Sequence, residues 1–244
     1  MQRINFWNKL YLHWQKIAVF ALLATLSTGA FAQEATNIRL LDFDKKKIHY
    51  GFQLGLFTTN LNVKHSQHFV DGLDSTVAVI PNRTYSFSLG FVVNFALQDE
   101  LWDLRLLPNV SFYNHSVTFD YPESSKTELI EKPTTFLELP VLLKYTSIRR
   151  KNHRFYLLGG FTGGIGVGGK KGAEGTESLS LNNMLLDVTY GVGLSGYMQL
   201  FHFAPEIRFS HGLINMHSPQ DNIFSNNIDR ITTHKVSFIL NFEG

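Results

Sequence analysis

Eight stretches of the chain alternate apolar residues with polar or small ones. The clearest sets Tyr85, Phe87, Leu89, Phe91, Val93, Phe95 and Leu97 against Ser86, Ser88, Gly90, Val92, Asn94 and Ala96. Successive side chains of a strand point to opposite faces, whereas a helix repeats every 3.6 residues, so this period predicts strand. The stretches cover residues 48–56, 85–97, 102–112, 137–145, 155–167, 186–195, 203–210 and 235–242. Most reach the roughly 9–11 residues that a tilted strand needs to cross a bilayer. Long strands with one apolar and one polar face suit a closed membrane barrel, which pairs every backbone group and leaves no edge in lipid. The expected fold is all-β: an eight-stranded antiparallel up-and-down transmembrane β-barrel.

The connections alternate in length. Long ones are expected over 59–83, 114–134, 168–183 and 215–230, and short ones over 98–101, 148–154 and around 200–202. Outer-membrane barrels keep short periplasmic turns and long outer loops. That rule puts four long loops outside the cell and both termini in the periplasm. Tyr50, Phe95, Trp102, Tyr145, Phe155, Phe203 and Phe242 fall at the short-turn ends, in phase with the apolar faces. They are candidates for a periplasmic aromatic girdle on the lipid face. Periodicity cannot distinguish inside from outside. A soluble lipocalin-like barrel, with the apolar face inward, is the alternative fold.

With the polar face inward, the lumen holds Arg105, Glu138, Lys144, Asp187, Glu206 and Arg208. An eight-stranded barrel is just wide enough for side chains to fill, and buried charges need partners. A structural charge network is therefore expected in place of an open channel.

Composition narrows the function. Charged residues make up 17% of the chain, against about 25% in ordinary soluble domains. There is no Cys, hence no disulfide framework and no thiolate metal site. Residues 1–32 read as a signal peptide, with Arg3, Lys9 and Lys16 before an apolar run at 17–26 and Ala30-Phe31-Ala32 at its exit. Removing that segment leaves 19 basic against 20 acidic residues, which takes away the electrostatic basis for binding nucleic acid. Residues 33–47 lack alternation and carry Asp42, Asp44, Lys45, Lys46 and Lys47. They form either a solvated periplasmic tail or a docking peptide for a partner. The barrel itself occupies 48–244.

Several motifs suggest chemistry without supplying it. Residues 164–171 approach a P-loop, but Lys171 stands where a magnesium-binding hydroxyl is needed. His65 and His68 give two metal ligands and no third. Ser210 beside His211 permits a barrel hydrolase without any spacing signature. The sequons at Asn82, Asn109 and Asn114 say little. No cofactor, metal, catalytic residue or small-molecule substrate is expected; the expected partners are outer-membrane lipid and other envelope proteins.

Residues 136–145 read FLELPVLLKY, an aromatic-x-Glu-apolar-Pro-x-apolar-x-Lys-Tyr strand. FYLLGG at 155–160, PEIRF at 205–209 and GLIN at 212–215 follow in order. Over roughly 49–242 the chain resembles the porin-like outer-membrane β-barrel family of Bacteroidota. Within it, the size, signal segment, basic tail and loop layout resemble a member that serves type IX secretion. The resemblance implies a non-enzymatic accessory for exporting gingipain-like proteases and other cargo with C-terminal signals, working with the translocon barrel. It maps Glu138, Pro140, Lys144, Tyr145 and Glu206 onto barrel architecture and supplies no active site. One departure is that Phe242 is followed by Glu243-Gly244, whereas many barrels end on the aromatic.

Overall fold

A computed structural model describes residues 38–66, 78–97, 101–121, 126–167, 182–216 and 228–244. The signal segment, the first five tail residues, His68 and the Lys170-Lys171 pair lie outside these. Residues 39–244 form one compact unit. Ten strand runs follow in order: β1 (Ile48–His65), β2 (Ala78–Asn82), β3 (Thr84–Ala96), β4 (Trp102–Leu106), β5 (Asn109–Tyr121), β6 (Lys126–Thr146), β7 (His153–Val167), β8 (Met184–Tyr197), β9 (His202–Gly212) and β10 (Ile228–Glu243).

The ten runs make eight staves. β2 and β3 are one stave interrupted at Arg83. β4 and β5 are another, interrupted at Leu107-Pro108. Across that gap the register with β3 is unbroken, from Val93↔Leu106 to Phe87↔Phe112. The register with β6 runs on likewise, from Trp102↔Tyr145 to Tyr121↔Lys126. Pro108 has no N–H to donate, but its carbonyl still accepts from Phe91 N at 2.9 Å. All pairings are antiparallel between neighbours, and β1 closes the ring on β10 from Gly51↔Glu243 to His65↔Ile228.

The faces resolve the choice between membrane and soluble barrel. Leu56, Phe91 and Phe155 on the outer face are 65%, 69% and 68% exposed, while Arg105 on the inner face is fully buried. Apolar residues face out and charges face in, the reverse of a lipocalin-like interior. Among the described residues no helix is long and apolar enough to cross a membrane; the crossing is made by strands.

Several connections expected as loops are strand in the structure. β5 and β6 remain paired out to Tyr121↔Lys126, so only residues 122–125 link them, where a loop over 114–134 was expected. β2 pairs with β5 along the same extension, from Ala78↔Asp120 to Asn82↔Ser116. The 21 residues of β6 far exceed the roughly 9–11 that span a bilayer. Along β5 the alternation continues in the opposite phase, with Val117, Phe119 and Tyr121 against Ser116, Thr118 and Asp120, and along residues 126–135 of β6 it is lost, so a single-phase pattern underestimates the strands.

The orientation has a direct energetic consequence. Phe91→Arg puts a cation on the outer wall near mid-strand, where such a substitution costs about 2–4 kcal/mol in a bilayer. Urea unfolding in lipid vesicles should register that loss. An unchanged midpoint would mean that Phe91 does not face lipid.

Candidate functional site

All six expected lumen charges point inward and are at most 5% exposed. They do not form a closed set. Arg105 and Arg208 both pair with Glu206, the former at 2.9 Å. Glu138 instead pairs with Lys235, at 3.1 Å. Lys144 reaches Asp103 at 3.3 Å. Asp187 makes no ion pair among the described residues, and its Oδ1 is buried without a hydrogen bond.

Three partners were missed, Asp103, Lys235 and Glu243, and all were readable by phase. β10 alternates with its odd-numbered residues inward: Lys235, Ser237, Ile239, Asn241 and then Glu243 are all buried or nearly so. Glu243 departs from the usual aromatic ending because it is the next inward position, and Arg105 waits for it at 2.8 Å.

The inner face is layered. Toward the short turns, the Arg105 guanidinium donates Nε to Asn94 Oδ1 (2.7 Å), Nη1 to Glu206 and Nη2 to Glu243. Tyr156 donates its hydroxyl to Glu206 at 2.8 Å, and Asn94 donates to Glu243. A Cβ on Gly193 would lie 2.2 Å from the Tyr156 ring; glycine makes room for that ring. Further along, Lys235 donates to the Tyr113 hydroxyl at 2.8 Å and Tyr113 donates to Glu138. Thr162, Thr189 and Ser210 form a hydroxyl chain with links of 2.8 and 3.0 Å. Toward the long connections, Phe57, Leu61, Tyr113, Phe136, Leu185 and Ile231 pack into a buried apolar cluster. The cavity between these layers is about 20 Å³, about the room for one water. Side chains fill the middle of the lumen.

Part of the expected tail is not solvated. Residues 39–47 fold back on the short-turn end. Phe43 is buried, stacked on His49 and His202 at 4.0 and 4.9 Å. Asp44 accepts from Arg149 (2.8 Å) and from the Tyr197 hydroxyl (2.9 Å), and it pairs with Arg154 at 3.4 Å. Arg149 also lies 3.7 Å from the Tyr197 ring centroid. The turn between β6 and β7 makes this possible. Arg150 and His153 exchange backbone bonds of 3.0 and 3.1 Å around Lys151, which takes a φ of 55°. That tight turn presents Asn152 Oδ1 to Arg39 N at 2.9 Å. Of the five candidate docking residues, Asp44 is spent on the barrel. Asp42 and Lys45 pair in the open at 3.0 Å, and Lys46 and Lys47 are exposed.

The seven girdle candidates lie on the outer face at the short-turn end. Tyr50, Trp102, Tyr145 and Phe155 are exposed, and Phe95, Phe203 and Phe242 are half-buried against neighbours. Trp102 meets Tyr145 at 4.8 Å and Phe203 meets Phe242 at 5.2 Å. Ser210 and His211 occupy opposite faces, as adjacent strand residues must, so they form no nucleophile–base pair. His211 instead contacts His234, Nδ1 to Nδ1 at 2.6 Å, and Tyr190. Asn109 lines the lumen. Among the described residues no three His, Cys, Asp or Glu gather to hold a metal.

A closed ring of long strands, an apolar outer wall and a packed charged interior define an outer-membrane β-barrel. The sequence profile of the "Outer membrane protein beta-barrel domain" family matches residues 31–218, and the chain belongs to that family. No curated protein sequence matches it. Among solved structures it is similar to OprG of Pseudomonas aeruginosa, with 13% identity over 80% of this chain and 92% of that one and a TM-score of 0.42. Neisserial surface protein A gives 9% identity, 79% and 95% coverage and a TM-score of 0.40. The attachment invasion locus protein Ail of Yersinia pestis, crystallised with the heparin analogue sucrose octasulfate, gives 10% identity, 82% and 100% coverage and a TM-score of 0.39.

Two substitutions probe this arrangement. Arg105→Met takes the arginine from buried Glu243, while Glu206 keeps Arg208, and should cost about 3–5 kcal/mol; adding Glu243→Gln should recover part of it. Denaturant unfolding of the folded barrel reads both. Asp44→Ala removes the acceptor that holds residues 39–47, so trypsin should cleave at Lys45–47 several-fold faster while the barrel stays resistant.

Proposed function

We propose that this barrel is a non-enzymatic outer-membrane accessory of the type IX secretion system. In this reading it is needed for secretion and maturation of gingipain-like proteases and other cargo with C-terminal signals. The observation that carries the accessory role is the filled middle of the lumen. A barrel whose middle leaves a cavity of only about 20 Å³ passes no polypeptide, so it acts through its surfaces. The assignment to this system rests on the resemblance to PorT in size, signal segment, short basic N-terminal tail and loop layout. The short turns and both termini face the periplasm, the long connections face outward, and the aromatic set at the short-turn end sits at the inner lipid interface. Residues 33–38 and the exposed Asp42, Lys45, Lys46 and Lys47 are then presented to periplasmic or translocon partners.

One feature favours a second reading, a stand-alone adhesin. The β2–β5–β6 extension offers a rigid paired platform well beyond the length a bilayer requires.

A deletion strain separates the two. Loss of the gene should leave unprocessed cargo in the periplasm and abolish extracellular protease activity. Normal secretion with reduced surface attachment would replace the secretion role by adhesion.

A further inference from the structure

The short-turn end of the lumen is not filled like the middle. Between the Arg105 layer and the folded-back residues 43–47 lies a chamber of about 600 Å³. Its wall is built by all eight staves, and Phe43 and Asp44 form part of its cover. Volume alone assigns nothing. The distribution of hydrogen-bonding capacity around it is more specific.

Among the described residues, every carboxylate lining the chamber is already paired with a cation. Asp44 is held by Arg149, Arg154 and Tyr197. Asp103 is held by Lys144, and Glu243 by Arg105 and Asn94. The unused capacity lies chiefly with donors, buried His202 Nδ1 being an unpartnered ring nitrogen that donates or accepts by tautomer. Thr146 Oγ1 and Ser195 Oγ are buried, in residues 3% and 1% exposed, and have no hydrogen-bond partner among the described residues. Arg154 Nε is buried and likewise unpartnered; a guanidinium nitrogen can only donate. Strand pairing brings these groups together. Thr146 sits opposite Tyr156 on β7, and Arg154 sits opposite Ser195 on β8. Lys144, two residues before Thr146 on the same inner face, offers three N–H bonds and has one carboxylate partner. Lys46 and Lys47 stand exposed at the rim.

A buried site with satisfied acceptors and spare donors stabilises a guest that only accepts. We propose that this chamber binds a compact oxyanion, a phosphate or carboxylate group, through the Thr146 and Ser195 hydroxyls, Arg154 Nε and Lys144. The anion enters from the short-turn end past residues 43–47. It arrives either free in solution or as the headgroup of an anionic lipid whose chains lie on the adjoining wall. This site does not depend on a secretion role.

The test uses the full chain folded in detergent micelles and a Thr146→Val/Ser195→Ala double variant. Removing hydroxyls that lack partners in the empty site should leave the melting temperature unchanged or raise it. Inorganic phosphate and monomeric dihexanoylphosphatidylglycerol are titrated separately by calorimetry, with thermal unfolding as a second readout. The expected result is saturable one-to-one binding of one probe by the wild type, a rise in its melting temperature, and at least tenfold weaker binding by the variant. Phosphate binding identifies a free anion, and binding of the lipid alone identifies a headgroup. Absence of saturable binding for both probes overturns the proposal, as does equal binding by wild type and variant. A variant that melts several degrees lower without any probe also overturns it, since its hydroxyls would then be structural.

Discussion

Closure of β1 on β10 is the constraint from which the rest follows. In hydrocarbon a strand edge has no water to satisfy its N–H and C=O groups. The fold is viable only because pairing from Gly51↔Glu243 to His65↔Ile228 completes the ring. Once the ring is closed at eight staves, the interior is narrow. Alternation then commits every second residue to that space, and the composition of the lumen becomes a packing and charge-pairing problem.

The chain solves it with a central cation shared between carboxylates. Arg105 has a planar fork of five donors and spends it on Asn94, Glu206 and Glu243. Such a network gives little net stability relative to an apolar core, but it is costly to break. It also fixes register, because a one-residue slip of β10 would turn Glu243 and Lys235 toward lipid. The apolar cluster around Phe57 and Ile231 closes the opposite end. Toward the short turns, Phe43 does so with an element that is not a strand at all.

That cover changes the meaning of the N-terminal segment. Asp44 and Phe43 belong to the barrel as much as any strand residue, since they are fixed by Arg149, Tyr197, His49 and His202. The basic run that follows is therefore held close to the barrel mouth. Residues 45–47 follow directly on Phe43 and Asp44, and with them line the chamber at this end.

Alternation alone was enough to read the eight staves and to group the charges on one face, because a strand has only two faces. It also contained Lys235 and Glu243, whose phase is plain once β10 is followed to Glu243. Three things were beyond it. Which face is inward is a property of closure and solvent, not of period. Which charges meet depends on positions far apart in the chain, such as Arg105 and Glu243, brought together across the lumen by barrel stagger. The docking of Phe43 and Asp44 depends on residues of β1, β7, β8 and β9 that ring closure through β10 brings round one mouth, so no local pattern in residues 33–47 could announce it.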